Sequence, residues 1–185
     1  MLSNHSRLGL VTIPVVVLLP VGFVAPVAAD PPTREDIPFE TFTIPGELVP
    51  DATCSFMVQV EALTNKEKIT TFFDQEGNVR LQLVTGGLKV QLTNLTTGQS
   101  VDLNISGPIQ TVPQPDGSSI VITQGPTLFP FEPDVAPDLP RLALIHGRAV
   151  SEFDAEGNFT LLCVQGRVED VCAVLTVPYA IERND

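Results

Sequence analysis

Cys54-Ser55-Phe56-Met57-Val58-Gln59-Val60-Glu61 puts Cys54, Phe56, Val58 and Val60 on every second position, with Ser55, Met57, Gln59 and Glu61 between them. Successive side chains of an extended chain point to opposite sides, so this period of two predicts a strand with one face on a core. The pattern recurs downstream. Val79, Leu81 and Leu83 alternate with Arg80 and Gln82, and Leu88, Val90 and Leu92 with Lys89, Gln91 and Thr93. Val101, Leu103 and Ile105 alternate with Asp102, Asn104 and Ser106. Helical periodicity of any length is absent. Gly86-Gly87, Thr97-Gly98, Pro115-Asp116-Gly117 and two Glu-Gly-Asn triplets separate the runs and supply the turn residues that hairpins need. Connections this tight join antiparallel strands, because a parallel crossover takes a dozen or more residues. The expectation is an all-β chain: a single antiparallel domain of about eight strands, a barrel ahead of a two-sheet sandwich. An immunoglobulin arrangement is disfavoured, because there is no tryptophan and the cysteines lie at the domain ends.

Outward from this region, residues 1–29 have the layout of a secretory signal peptide. Arg7 is the only charged side chain before Asp30, Leu8 to Ala29 is an uncharged and mostly apolar run, and Val27-Ala28-Ala29 offers small residues for cleavage. An uncleaved membrane anchor is the rival, since about 20 apolar residues can span a bilayer. Pro14, Pro20 and Pro26 argue against it, each removing a backbone donor that lipid cannot replace. Residues 30–51, rich in proline and acids, read as an extended lead-in in which Glu40 to Ile44 could add a short edge strand. Residues 52–178 form the β-domain and 179–185 a tail.

The 185-residue chain carries a formal charge of −12, and −13 once Arg7 is removed with the signal. So acidic a chain, without basic clusters, is a poor partner for nucleic acid or anionic membranes. Of its three cysteines, Cys54 opens the first clear strand run and Cys172 follows the last one. A Cys54–Cys172 bridge would tie the ends of the domain, leaving Cys163 as a buried thiol in Phe159–Val164. Cys163–Cys172 pairing would instead link a strand to its own continuation.

Phe73-Asp74-Gln75-Glu76-Gly77-Asn78 recurs as Phe153-Asp154-Ala155-Glu156-Gly157-Asn158. Two acidic loops could share calcium, but neither copy has the alternating ligands and closing glutamate of an EF-hand loop. A repeated hairpin turn is the preferred reading. Gly125 to Pro140, with five prolines, is the longest irregular stretch, and loops of that length are often functional.

Three segments together look familiar: Cys54-Ser55-Phe56-Met57-Val58, then Leu92 to Ser100 running on to Asn104-Ile105-Ser106-Gly107-Pro108, and Gly166 to Ala173. On these the chain resembles a group of uncharacterised small secreted β-domain proteins of actinobacterial type, from about Cys54 to Leu175. The resemblance implies a bacterial exported domain, supports pairing the first and last cysteines, and implies no activity. It also makes the glycosylation sequons at Asn94, Asn104 and Asn158 accidents of turn composition.

Chemistry is sparsely supplied. Past residue 29 there is one histidine, His146, and no serine has a nucleophile-elbow context. One histidine and one spare cysteine are too few for a zinc site, and no cofactor motif is present. Binding is what remains. Ile120-Val121-Ile122, Leu142 to Ile145 and Leu161 to Val164 are apolar on both faces. Central strands in a packed interior are the preferred reading, and the alternative is a barrel interior that holds a small apolar ligand, with His146 and Arg148 as polar groups orienting it. Leu128, Phe129 and Phe131 would then point inward as a lid. The expected role is a secreted non-enzymatic domain that binds a small apolar ligand or an extracellular or cell-wall partner. The alternatives are a small barrel hydrolase or isomerase working with carboxylates and His146, and a structural exoprotein.

Overall fold

The computed structural model describes residues 30–46, 54–132 and 134–176. The expected signal peptide and C-terminal tail lie outside these residues. The alternating runs form antiparallel strands throughout. They are β1 (Thr33–Asp36), β2 (Phe42–Ile44), β3 (Val58–Asn65), β4 (Lys68–Phe73), β5 (Val79–Thr85) and β6 (Leu88–Asn94). There follow β7 (Ser100–Asn104), β8 (Ile109–Pro113), β9 (Ser119–Pro130), β10 (Leu142–Phe153), β11 (Phe159–Asp170) and a helical turn α1 (Val171–Val174). Seven strands make one sheet in the order β1-β4-β5-β8-β9-β10-β11, and four make the second, β2-β3-β6-β7.

The two orders are related. Residues 58–73 and 79–94 are one long hairpin whose near half, β3 with β6, lies in the small sheet and whose far half, β4 with β5, lies in the large one. The 100–113 segment follows it, β7 beside β6 and β8 beside β5. So does the lead-in, β2 beside β3 and β1 beside β4. Each strand turns the corner at one level. The Lys66 amide donates to the Gly87 carbonyl (2.8 Å), and the Gly107 amide to that of Pro126 (3.0 Å). Glycine is demanded here: a Cβ on Gly86 would sit 2.2 Å from the Lys66 oxygen, and one on Gly107 2.5 Å from that of Gln124. The crease continues through Gly125, Gly147 and Gly166, which stand opposite one another on β9, β10 and β11. Strands that change sheets at bends are the corner device of orthogonal packing.

This geometry corrects the barrel expectation. Neither sheet closes, and β1, β11, β2 and β7 remain edges. The count of about eight strands also rises to eleven among the described residues, because bends divide long runs and the lead-in supplies β1 as well as β2.

The small sheet packs through Val58, Val60, Leu88, Val90 and Leu92 onto Leu142 and Leu144 of β10, with Val171 and Leu175 closing one end. Val58, Val90 and Leu92 are fully buried, each stabilising the fold by roughly 1.5–3 kcal/mol. Ala143 and Ile145 point the other way, into a second cluster with Phe131 and Ala136. That is why Leu142 to Ile145 reads as apolar on both faces: β10 is buried from both sides. Cys54 and Cys172 are bridged, Cα atoms 5.6 Å apart. Cys54 and Phe56 are buried in a bend just before β3 rather than inside a strand. Asn94, 1% exposed, donates to the Leu175 carbonyl (3.2 Å) and so fixes α1 to the small sheet. Cys163 is free but only half-buried, a correction to the buried thiol expected, because it packs into neither core cluster. Among the described residues no helix is long and apolar enough to cross a membrane.

Candidate functional site

The stretch expected as a Gly125–Pro140 loop is half strand: β9 runs to Pro130, and residues 131–132 and 134–141 are irregular. The Phe131 amide donates to the Arg141 carbonyl (2.7 Å), closing the base of this loop. Turns at Glu132–Val135 and Ala136–Leu139 then fold it back over β10 and β11. Phe131, 2% exposed, stacks on Phe129 with ring centres 5.4 Å apart and meets Phe159 at 6.4 Å. Phe159 in turn touches Phe153 edge-on at 5.3 Å. Four rings thus run from the loop to the tip of the β10–β11 hairpin. Rings at such spacings gain about 0.5–1.5 kcal/mol per pair beyond area burial.

Beside this ladder lies a cleft of about 380 Å³, lined by Pro130, Phe131, Glu132, Val135, Gly157, Asn158 and Phe159. Its far wall is the second copy of the repeated hexapeptide. Asp154 Oδ1 accepts from the amides of Glu156 (3.0 Å) and Asn158 (2.7 Å), its Oδ2 accepts from Asn158 Nδ2 (2.7 Å), and Gly157 takes φ 88°. The first copy repeats the bonds at Asp74 and Asn78, with Gly77 at φ 84°. Both copies are hairpin turns. No cluster of three or more metal-ligating side chains occurs among the described residues. Hydrogen bonds from Asn158 hold the Asp154 carboxyl below the usual carboxylate range, so it stays ionised near the cleft. Of the acidic residues, Glu132 lines the cleft, while Asp154 and Glu156 belong to the adjoining turn.

The structure divides the residues singled out in the sequence. Phe129 and Phe131 share one face of the large sheet, with Ala143 and Ile145. Leu128 faces the other way, into the core against the small sheet, so the three-residue lid is replaced by two phenylalanines and a packed leucine. His146 and Arg148 also lie on that other face and do not line the cleft. Arg148 is exposed. His146 Nε2 stands 3.6 Å from Glu169 Oε1, which is itself paired with Arg167 Nη1 at 2.6 Å. The side chains beside His146 in the strand register are Pro126 and Arg167, neither a hydroxyl nor a thiol.

Sequence reasoning missed Phe159, Val135 and Asn158. The repeat marked Asn158 as a turn residue, but only β10–β11 pairing carries that turn to the 131–141 loop. Asn94 and Asn158 spend their amides on structural hydrogen bonds, and Asn104 Oδ1 caps the Ser106 amide (3.1 Å), as turn chemistry expects of these positions. No protein-family model, curated protein or solved structure matches the chain.

Proposed function

We propose that this is a non-enzymatic binding domain of an extracellular bacterial setting, taking a small ring-bearing ligand, neutral or cationic, in the cleft between the 131–141 loop and the β10–β11 tip. The observation that carries the reading is the pairing of Phe131 and Phe159 in a cleft of about 380 Å³. That volume lies in the range of small-molecule sites, roughly 300–1,000 Å³. Phe159, half-buried, offers an apolar ring to the cleft, and the Glu132 side chain in its lining favours cations and disfavours anions. The leader-like residues 1–29 and the Cys54–Cys172 bridge support an oxidising compartment outside the cytosol.

Indole derivatives test the reading directly, because the chain has no tryptophan and ligand fluorescence has little protein background. Tryptamine should bind saturably and more tightly than indole, and indole-3-acetate least of all. Val135→Phe, which narrows the cleft without adding an indole, should abolish the signal. Equal affinities for the three probes, or binding unchanged in Val135→Phe, would overturn the assignment.

A further inference from the structure

Hydrogen-bonding capacity along the cleft is unevenly divided between donors and acceptors. On the turn wall the Gly157 amide already donates to the Asp154 carbonyl (3.0 Å), and the Asn158 amide to Asp154 Oδ1 (2.7 Å). The Asn158 side-chain amide is spent as well, on Asp154 Oδ2 (2.7 Å). An ionised carboxylate only accepts, so Asn158 has to turn Nδ2 toward Asp154 and keeps Oδ1, an acceptor, on the other side of its amide. On the loop wall the Phe131 amide goes to the Arg141 carbonyl (2.7 Å) and the Val135 amide to that of Glu132 (3.3 Å). Pro130 has no amide hydrogen to give. The Glu132 side chain is exposed and, among the described residues, pairs with no lysine, arginine or histidine. What the lining leaves unspent is therefore mainly acceptors, one of them charged.

Proteins hold organic cations in two ways. A quaternary ammonium has no donor and is held by a cage of several aromatic faces. This cleft has no such cage: Phe159 is half-buried, while Phe131 is 2% exposed and stacked on Phe129. A protonated amine brings its own N–H donors, and its hydrogen bonds to a carboxylate are of the strong, charge-assisted kind. The acidity of the whole chain attracts both cations alike, so only the local acceptors can separate them. We propose that the cleft selects a donor-bearing cation, a primary ammonium on a short arm from an aromatic ring, with the ring against Phe159 and the N–H groups shared between Glu132 and Asn158 Oδ1. The inference rests on the binding reading above and adds Glu132 as the residue that sets specificity.

Tryptamine and its N,N,N-trimethyl derivative share ring, arm and charge but differ in N–H donors. Titrated by indole fluorescence into the purified protein, tryptamine should bind about tenfold more tightly, the equivalent of one charge-assisted hydrogen bond. The N,N-dimethyl compound, protonated with a single N–H, should fall between them. In Glu132→Ala, with its melting transition checked against wild type, the gap between tryptamine and the trimethyl compound should all but close. A gap that came from the bulk of the methyl groups would survive that substitution. Equal binding of the two cations in a cleft that Val135→Phe still blocks would overturn the donor selection and leave the binding site standing, as would a gap unchanged in Glu132→Ala. Binding of no probe, or binding indifferent to Val135→Phe, would remove the site and the selection together.

Discussion

Asp74 and Asp154 show how much one side chain does in this fold. Each accepts from two backbone amides and an asparagine side chain, leaving the glycine of its turn to take the left-handed conformation. Replacing Gly77 or Gly157 by valine should cost about 1 kcal/mol or more, read as a lower denaturation midpoint in urea. The same bonds set an acid dependence. Asp74, Asp116 and Asp154 titrate below the ordinary carboxylate range in the folded chain, chiefly through hydrogen bonds from Asn78, Ser118 and Asn158. Their contribution to stability is full above the unfolded value of about 3.9 and is lost as pH falls through the lower folded values. Unfolding followed from pH 5 to pH 2 should therefore be less steep in pH for Asp74→Asn/Asp116→Asn/Asp154→Asn than for wild type. An unchanged slope would show that these carboxylates are not coupled to folding.

At the scale of the strand, alternation was readable and bending was not. Val58, Val60, Leu88, Val90 and Leu92 declare their buried side in the sequence, and all five are core residues. Gly86-Gly87 reads as a tight turn because a hairpin loop and a sheet corner ask the same residue for the same freedom. Only the pairing of Lys66 with Gly87 separates the two, and that contact is between distant residues. The cleft was hidden for a similar reason. Phe131 stood out as an apolar loop residue, but its partner Phe159 lies 28 positions on, brought near by a register that composition does not encode. His146 and Arg148 were placed with the phenylalanines because the offset of β9 against β10, which sets their faces, is a property of the folded sheet. Two alanine substitutions test the crease. A Cβ on Gly147 would lie 1.9 Å from the Gln165 oxygen, so Gly147→Ala should destabilise by roughly 1–3 kcal/mol or more. Gly87 has nothing nearer than 3.9 Å, and Gly87→Ala should stay within about 0.5 kcal/mol of wild type.

Across the whole molecule, the Cys54–Cys172 bridge spans 118 residues and ties the entry of β3 to the helical turn that ends the described chain. Its removal as Cys54→Ser/Cys172→Ser should cost about 2–5 kcal/mol, measured by thermal melting against wild type. A melting temperature equal to wild type would place the stability elsewhere, in the packing of Leu142 and Leu144 against the small sheet. The glycine crease carries a larger consequence. Because residues 58–73 and 79–94 each belong to both sheets, neither sheet can come apart while the other keeps its full set of strands. The molecule has two cores but no seam along which to fail, so its unfolding should be all-or-none. The slowest-exchanging amides of β6 and β10, one from each sheet, should then share a single opening free energy.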